Sequence, residues 1–112
     1  MRIFISGPYS GKTPEEVHLN VCRALDAAQK LIGKGHCPFI PHLTHFLHLY
    51  LLTRHGQSFD YETWMELDEA WLRCCAAILH LGTSPGADRE LAMARALGLV
   101  VYRAVDEVPD AS

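Results

Sequence analysis

The apolar run Ala76-Ala77-Ile78-Leu79-His80-Leu81 ends at a Ser84-Pro85-Gly86 turn, and a helical pattern follows at once with a carboxylate in its first turn. A strand joined to a helix by so short a turn is half of a crossover unit, which leads to a parallel sheet with helices packed on it. The turn also directs unpaired backbone N–H groups of the helix start toward one spot, where an anion can bind. Glu90 lies close to that spot. An anion cradle beside a fixed carboxylate points to chemistry on a phosphorylated or sugar-bearing small molecule.

The rest of the chain repeats the alternation. Arg2 to Ser6 (RIFIS) is a short β-rich run closed by Gly7-Pro8. Thr13-Pro14-Glu15-Glu16 reads as a helix start, with Thr as N-cap, Pro at the first helical position and Glu at the third. Val17, Val21, Ala24, Leu25, Ala28, Leu31 and Ile32 then form one apolar stripe, stopped by Gly33 and Gly35. Cys37 to Pro41 is a second strand, Leu43 to Leu52 a short helix, and Arg54 to Phe59 a loop. Tyr61 to Cys75 is a helix, Ala76 to Leu81 the third strand, Gly86 to Leu97 a helix closed by Gly98, and Leu99 to Arg103 the fourth strand. These elements predict one α/β domain over residues 1–112, a mostly parallel sheet covered on both faces. Ligands of such sheets sit at the carboxyl ends of the strands. The loops Gly7 to Thr13 and Gly82 to Gly86 both fall there.

Charge and hydropathy narrow the classes of partner. The net charge is −3 and the Lys and Arg residues form no basic stripe, so nucleic-acid binding is not expected. The longest apolar stretch, Phe46 to Leu52, is interrupted by His48 and is too short to span a bilayer. A first strand at Arg2 leaves no room for a signal peptide, and the expected location is cytoplasmic. Cys22, Cys37, Cys74 and Cys75 form no C-x-x-C pair and are expected to be reduced core thiols.

Asp68 is the second anomaly. On the helix from Tyr61 the buried stripe is expected to run Trp64, Leu67, Trp71, Leu72 and Cys75, and Asp68 shares the face of Trp64 and Trp71. A carboxylate buried there without a partner costs several kcal/mol unless it is paired or faces a cavity. A cleft carboxylate is the reading favoured over a paired structural one. Glu90 has a plainer alternative, since acidic side chains early in a helix offset the macrodipole. Asp88 and Arg89 are expected to face solvent. Two carboxylates near one strand edge fit nucleophile and acid/base work at an acetal-like carbon.

Two tempting motifs fail on spacing. Ser6-Gly7-Pro8-Tyr9-Ser10-Gly11-Lys12-Thr13 resembles a phosphate-binding P-loop, but Gly7 to Gly11 is one residue short and Pro14 starts the helix after Thr13. His42, His45 and His48 step around a helix by threes, with no Cys or carboxylate to complete a metal set, so no metal or other cofactor is expected. Trp64 and Trp71 are read as core.

Taken together, Ile5-Ser6-Gly7-Pro8-Tyr9, Pro41-His42, Asp68 with Trp71-Leu72, and Ser84-Pro85-Gly86 with Glu90 resemble the nucleoside 2-deoxyribosyltransferase superfamily. Within it, the motifs are most similar to the 2'-deoxynucleoside 5'-monophosphate N-glycosidases and small uncharacterised relatives. The resemblance extends from Arg2 to about Tyr102. It implies a flavodoxin-like fold and cleavage of an N-glycosidic bond through a covalent sugar–enzyme intermediate. On that likeness Glu90 is the nucleophile, kept ionised by the helix dipole. Tyr9 orients Glu90 by a hydrogen bond, and Asp68 contacts the base and assists its departure. Ser84 stands where transferases of free nucleosides usually carry Asp, so a 5'-phosphate is expected beside Ser84, Pro85 and Gly86. Ser6, Gly7 and Lys12 would add to the anion site, and His42 would line the pocket. The alternatives are a deoxyribosyltransferase acting on free nucleosides and a non-catalytic nucleotide-sensing module. A homodimer is expected by the same likeness, with the apolar cluster Phe46, Leu49, Tyr50 and Leu52 either its surface or packed on the chain's own sheet.

Overall fold

The computed structural model describes residues 1–111 and shows why the chain alternates. Strands β1 (Arg2–Ser6), β2 (Cys37–Phe39), β3 (Ala77–His80) and β4 (Val100–Tyr102) form one parallel sheet in the order β2-β1-β3-β4. Each crossover contains a helix: α1 (Pro14–Gly33), then α2 (Thr44–His55) and α3 (Tyr61–Leu72), then α4 (Pro85–Ala96). Short 3-10 turns occupy Pro41–Leu43 and Val105–Glu107. The result is the expected flavodoxin-like α/β domain.

Strand alternation sorts the core into two layers. Ile3 and Ile5 of β1, with Ala77 and Leu79 of β3, pack on Ala24, Ala27, Ala28 and Leu31 of α1, and Val108 closes that layer. Phe4 and Ile78 point the other way, onto Leu72 of α3 and Leu91 and Ala94 of α4. In register, Ile3 pairs with Ala77 and Ser6 with His80, so the two central strands end side by side. β2 lies on one side of β1 and β3 on the other, and the chain reverses direction across the sheet at this point. In open parallel sheets such a switch point leaves a crevice beyond the strand ends.

The helix boundaries follow their caps. The Thr13 hydroxyl accepts the Glu16 N–H at 3.2 Å, as its position before Pro14 predicts. Asp60 caps α3 by accepting the Thr63 N–H at 2.8 Å. α2 runs three residues beyond the expected Leu52 and stops at Gly56, whose φ of 73° suits glycine and lets its N–H reach the Leu52 carbonyl at 3.1 Å. α3 stops three residues short of Cys75.

Two expectations about burial are corrected. Only Cys75 is a core thiol; Cys22, Cys37 and Cys74 are exposed. Trp71 and Leu67 are also largely exposed, and the buried residues of α3 are Met65 and Leu72. β2 is an edge strand of three residues, so the sheet ends before it can cover that side of α3. Trp71 instead stacks on Phe39 of β2 with ring centroids 5.2 Å apart.

Candidate active site

A cavity of about 550 Å³ opens at the carboxyl end of β1. The loop after β1 supplies Gly7, Tyr9 and Ser10, and the turn and α2 supply Pro41, His42, Thr44 and His48. α3 contributes Tyr61, Trp64, Met65 and Asp68, with Phe59 just before it, and α4 contributes Ser84 to Ala87 and Glu90. Aromatic rings and the start of α4 line the same cavity, and the Tyr61 hydroxyl lies beside Gly86.

Glu90 is 5% exposed and lies in the second turn of α4, not the first. That placement carries it past the reach of the strongest helix-dipole effect. Burial pushes its carboxyl up to about 8, with Asp68 and Glu69 adding to the rise and the Ser6 hydroxyl opposing it. The expectation that the dipole keeps Glu90 ionised is therefore corrected: desolvation favours its protonated form. Ser6 Oγ is 2.9 Å from Glu90 Oε1 and 3.3 Å from the Ala87 carbonyl. A hydroxyl has one proton to donate. With Glu90 protonated, the chain runs from the Glu90 carboxyl to Ser6 and from Ser6 to Ala87, and every group is satisfied.

Asp68 faces the same cavity from α3. Its Oδ1 is buried and has no hydrogen-bond partner within the protein. Desolvation, with the charge of Glu69, pushes it up to about 7. Buried polar atoms are rarely left orphaned, so Asp68 presents an unmet hydrogen-bonding capacity to whatever fills the cavity. Asp68 adds to the rise at Glu90, so the titration of the one depends on the charge of the other.

Tyr9 departs from its expected role. Its hydroxyl is 2.7 Å from His45 Nδ1 on α2, and it makes no hydrogen bond to Glu90. Ser6 takes that part instead. The strand pattern contained the signal, because Ser6 shares with Phe4 the sheet face that meets α4. His42 is buried, with Nε2 3.2 Å from the Gly7 carbonyl and Nδ1 unpartnered. Desolvation lowers its pKa, so it stands as a neutral wall residue. His42, His45 and His48 do not converge: they bond the Gly7 carbonyl, the Tyr9 hydroxyl and the Ser58 hydroxyl respectively. Among the described residues no group of three or more His, Cys, Asp or Glu could hold a metal ion.

The anion cradle is narrower than the sequence implies. Ser84 Oγ accepts the Ala87 N–H at 3.1 Å, its carbonyl takes the Asp88 N–H at 2.8 Å, and Pro85 has none. That leaves the Gly86 N–H and the Ser84 hydroxyl proton for an anion. Lys12 does not line the cavity, and neither does any other Lys or Arg among the described residues. Ser84→Ala is expected to cost about 1 kcal/mol through loss of the cap, a fall of roughly 4–8 °C in melting temperature. Ser84→Thr should restore most of it, as thermal unfolding would show.

Arg89, expected in solvent, joins two helices. Its guanidinium contacts Glu62 at 2.7 and 3.1 Å and Glu69 at 2.9 Å, tying α4 to α3. Arg89 and Glu69 are the chain neighbours of Glu90 and Asp68.

No helix among the described residues is long and apolar enough to cross a membrane. A family model described as Domain of unknown function (DUF7768) matches residues 1–104. No curated protein matches the chain.

Proposed function

The chain belongs to the DUF7768 family, and we propose that it is an N-glycosidase that hydrolyses a nucleoside or deoxynucleoside 5'-monophosphate. The observation that carries the reading is the pairing of Glu90 with an orphaned Asp68 in one cavity, beside the start of α4. The cavity is large enough for a nucleotide-sized ligand. The rings of Trp64 and Phe59 suit a planar base, and the Gly86 N–H and Ser84 hydroxyl suit a phosphate.

In this reading the pair works with one proton. Glu90 passes its proton to Asp68 as substrate binds, and its carboxylate attacks C1' of the sugar. The C1'–N bond breaks, its electron pair goes to the base nitrogen, and Asp68 donates the proton that neutralises the leaving base. A water molecule then attacks C1' and displaces Glu90, and its proton returns to Asp68. The products are free base and sugar 5'-phosphate. Ser6 donates to the Glu90 carboxylate while it waits, and turns to the Ala87 carbonyl when Glu90 is protonated.

One observation favours a second reading. A cavity without Lys or Arg also suits an uncharged 5'-hydroxyl, as in transfer of deoxyribose between free nucleosides. Both are tested by incubating the protein with ribo- and deoxyribonucleoside 5'-monophosphates and with the free nucleosides, each with and without an added purine or pyrimidine. Free base is then detected by chromatography. Release from a monophosphate in water is the expected outcome. Exchange that occurs only between free nucleosides and an added base would replace hydrolysis by transfer. Tight binding of a monophosphate with no release from any compound would make the protein a sensing module.

A further inference from the structure

A second, smaller cavity of about 90 Å³ lies at the same edge of the sheet, against α1. Its walls come from Gly7 and Pro8 after β1, Gly82 after β3, Asn20 and Arg23 of α1, and His42. That volume equals about three waters. It is far too small for a nucleoside and sufficient for one tetrahedral oxyanion.

The two cavities are opposite in charge. Asp68 and Glu90 line the larger one without a Lys or Arg, whereas Arg23 lines the smaller one without an Asp or Glu. Among the described residues no carboxylate pairs with Arg23. Its guanidinium reaches only the Asn20 Oδ1, at 3.5 Å. Two further polar groups on these walls are unmet. A Cβ on Gly82 would meet Pro8 Cδ at 3.3 Å, so glycine lets the loops after β1 and β3 close together. The Gly82 N–H there donates to no group among the described residues. His42 is 4% exposed, and its Nδ1 is buried without a partner. Its Nε2 lies 3.2 Å from the Gly7 carbonyl, so Nε2 carries the ring proton and Nδ1 keeps a lone pair.

We propose that the small cavity binds inorganic phosphate, with the Arg23 guanidinium and the Gly82 N–H as donors and an O–H of the ion donating to His42 Nδ1. Two donors alone would suit any oxyanion; the lone pair selects one that keeps a proton. Inorganic phosphate retains at least one O–H at neutral pH, sulfate has none, and a phosphate monoester loses its last near pH 6. The ion also reaches the larger cavity through shared parts. Gly7 and His42 line both cavities. Asn20, beside Arg23, donates to the Tyr9 and Ser10 carbonyls at 3.2 Å each, and those two residues wall the larger one. Phosphate thereby steadies the loop after β1. The site does not depend on the glycosidase reading.

Titration of inorganic phosphate at constant ionic strength, followed by amide NMR, tests it without any assay of activity. The Gly82 backbone signal and the Asn20 side-chain signals should shift and saturate, while Gly86, at the start of α4, stays in place. Sulfate should bind at least tenfold more weakly. Arg23→Gln should weaken phosphate binding roughly tenfold or more, as loss of a charged donor predicts. Arg73→Gln, which removes an exposed arginine that lines neither cavity, should bind as wild type. Shifts that do not saturate, shifts centred on Gly86, sulfate binding equal to phosphate, or an Arg23→Gln protein indistinguishable from wild type would overturn the proposal. A nucleoside 5'-monophosphate that displaces phosphate from Gly82 would overturn it in favour of the phosphate of a ligand held in the larger cavity.

Discussion

Glu90→Gln is expected to lower base release by on the order of 10⁴-fold while the nucleotide still binds. Glutamine has nearly the same shape as glutamic acid and no charge, and burial favours the uncharged form of Glu90 in the free protein. The substitution therefore leaves no cavity, and the amide can remain beside Ser6 Oγ, which lies 2.9 Å from Oε1 in the native chain. What it removes is the anion that attacks C1'. The loss should fall on kcat, with KM little changed, because Glu90 binds the sugar carbon covalently only after the ground state. Asp68→Asn should cost less, roughly 10²-fold to 10⁴-fold, and most for bases that leave poorly without a proton. Single-turnover measurements on a substrate found by the base-release panel separate the two. A Glu90→Gln protein within tenfold of wild type would sink the nucleophile assignment, and with it the covalent route.

The second large effect needs no substrate. Glu90 is pushed up to about 8 and Asp68 to about 7, from ordinary values of 4.5 and 3.8. Above the ordinary carboxyl range the folded chain holds protons that the unfolded chain has released. Stability is therefore greatest below the ordinary carboxyl values, falls as pH rises from there to about 7 and 8, and is level above, where both states are ionised. Each tenfold gain in proton affinity on folding corresponds to about 1.4 kcal/mol. Shared between coupled groups, the loss across the pair comes to a few kcal/mol, on the order of 10 °C in melting temperature. Asp68→Asn/Glu90→Gln removes both titrations. Calorimetry at pH 5, 7 and 9 should show wild type losing stability steeply and the double variant much less. The two proteins should converge at pH 5 and diverge at pH 9, with the variant the more stable. Parallel curves would mean that the carboxyls are solvated, and a desolvated catalytic pair would be excluded.

Much of the fold was legible because it rests on local signals. Thr13-Pro14 and the Ser84-Pro85-Gly86 turn mark helix starts through chemistry confined to a few residues, and the four apolar runs mark strands. Asp68 and Glu90 were legible for a different reason: a carboxylate on an apolar face or beside an anion turn conflicts with its surroundings. What stayed hidden was relational. Nothing near Tyr9 in the chain announces that its hydroxyl meets His45, thirty-six residues away. The exposure of Trp71 depends on β2 ending after three residues, a property of the sheet's edge and not of α3. The direction in which the Glu90 pKa moves reflects a contest between helix dipole and desolvation. Which one wins is decided by a depth of burial that only packing sets.

The ties from Arg89 to Glu62 and Glu69 place a structural charge on the far side of the very turns that carry the reactive pair. The guanidinium does not line the cavity, yet it ties α4 to α3. Such a brace behaves as a spacer. On the proposed glycosidase reading, the walls that choose the base stand apart from the tie that holds α3 and α4, and with them the two carboxyls, together.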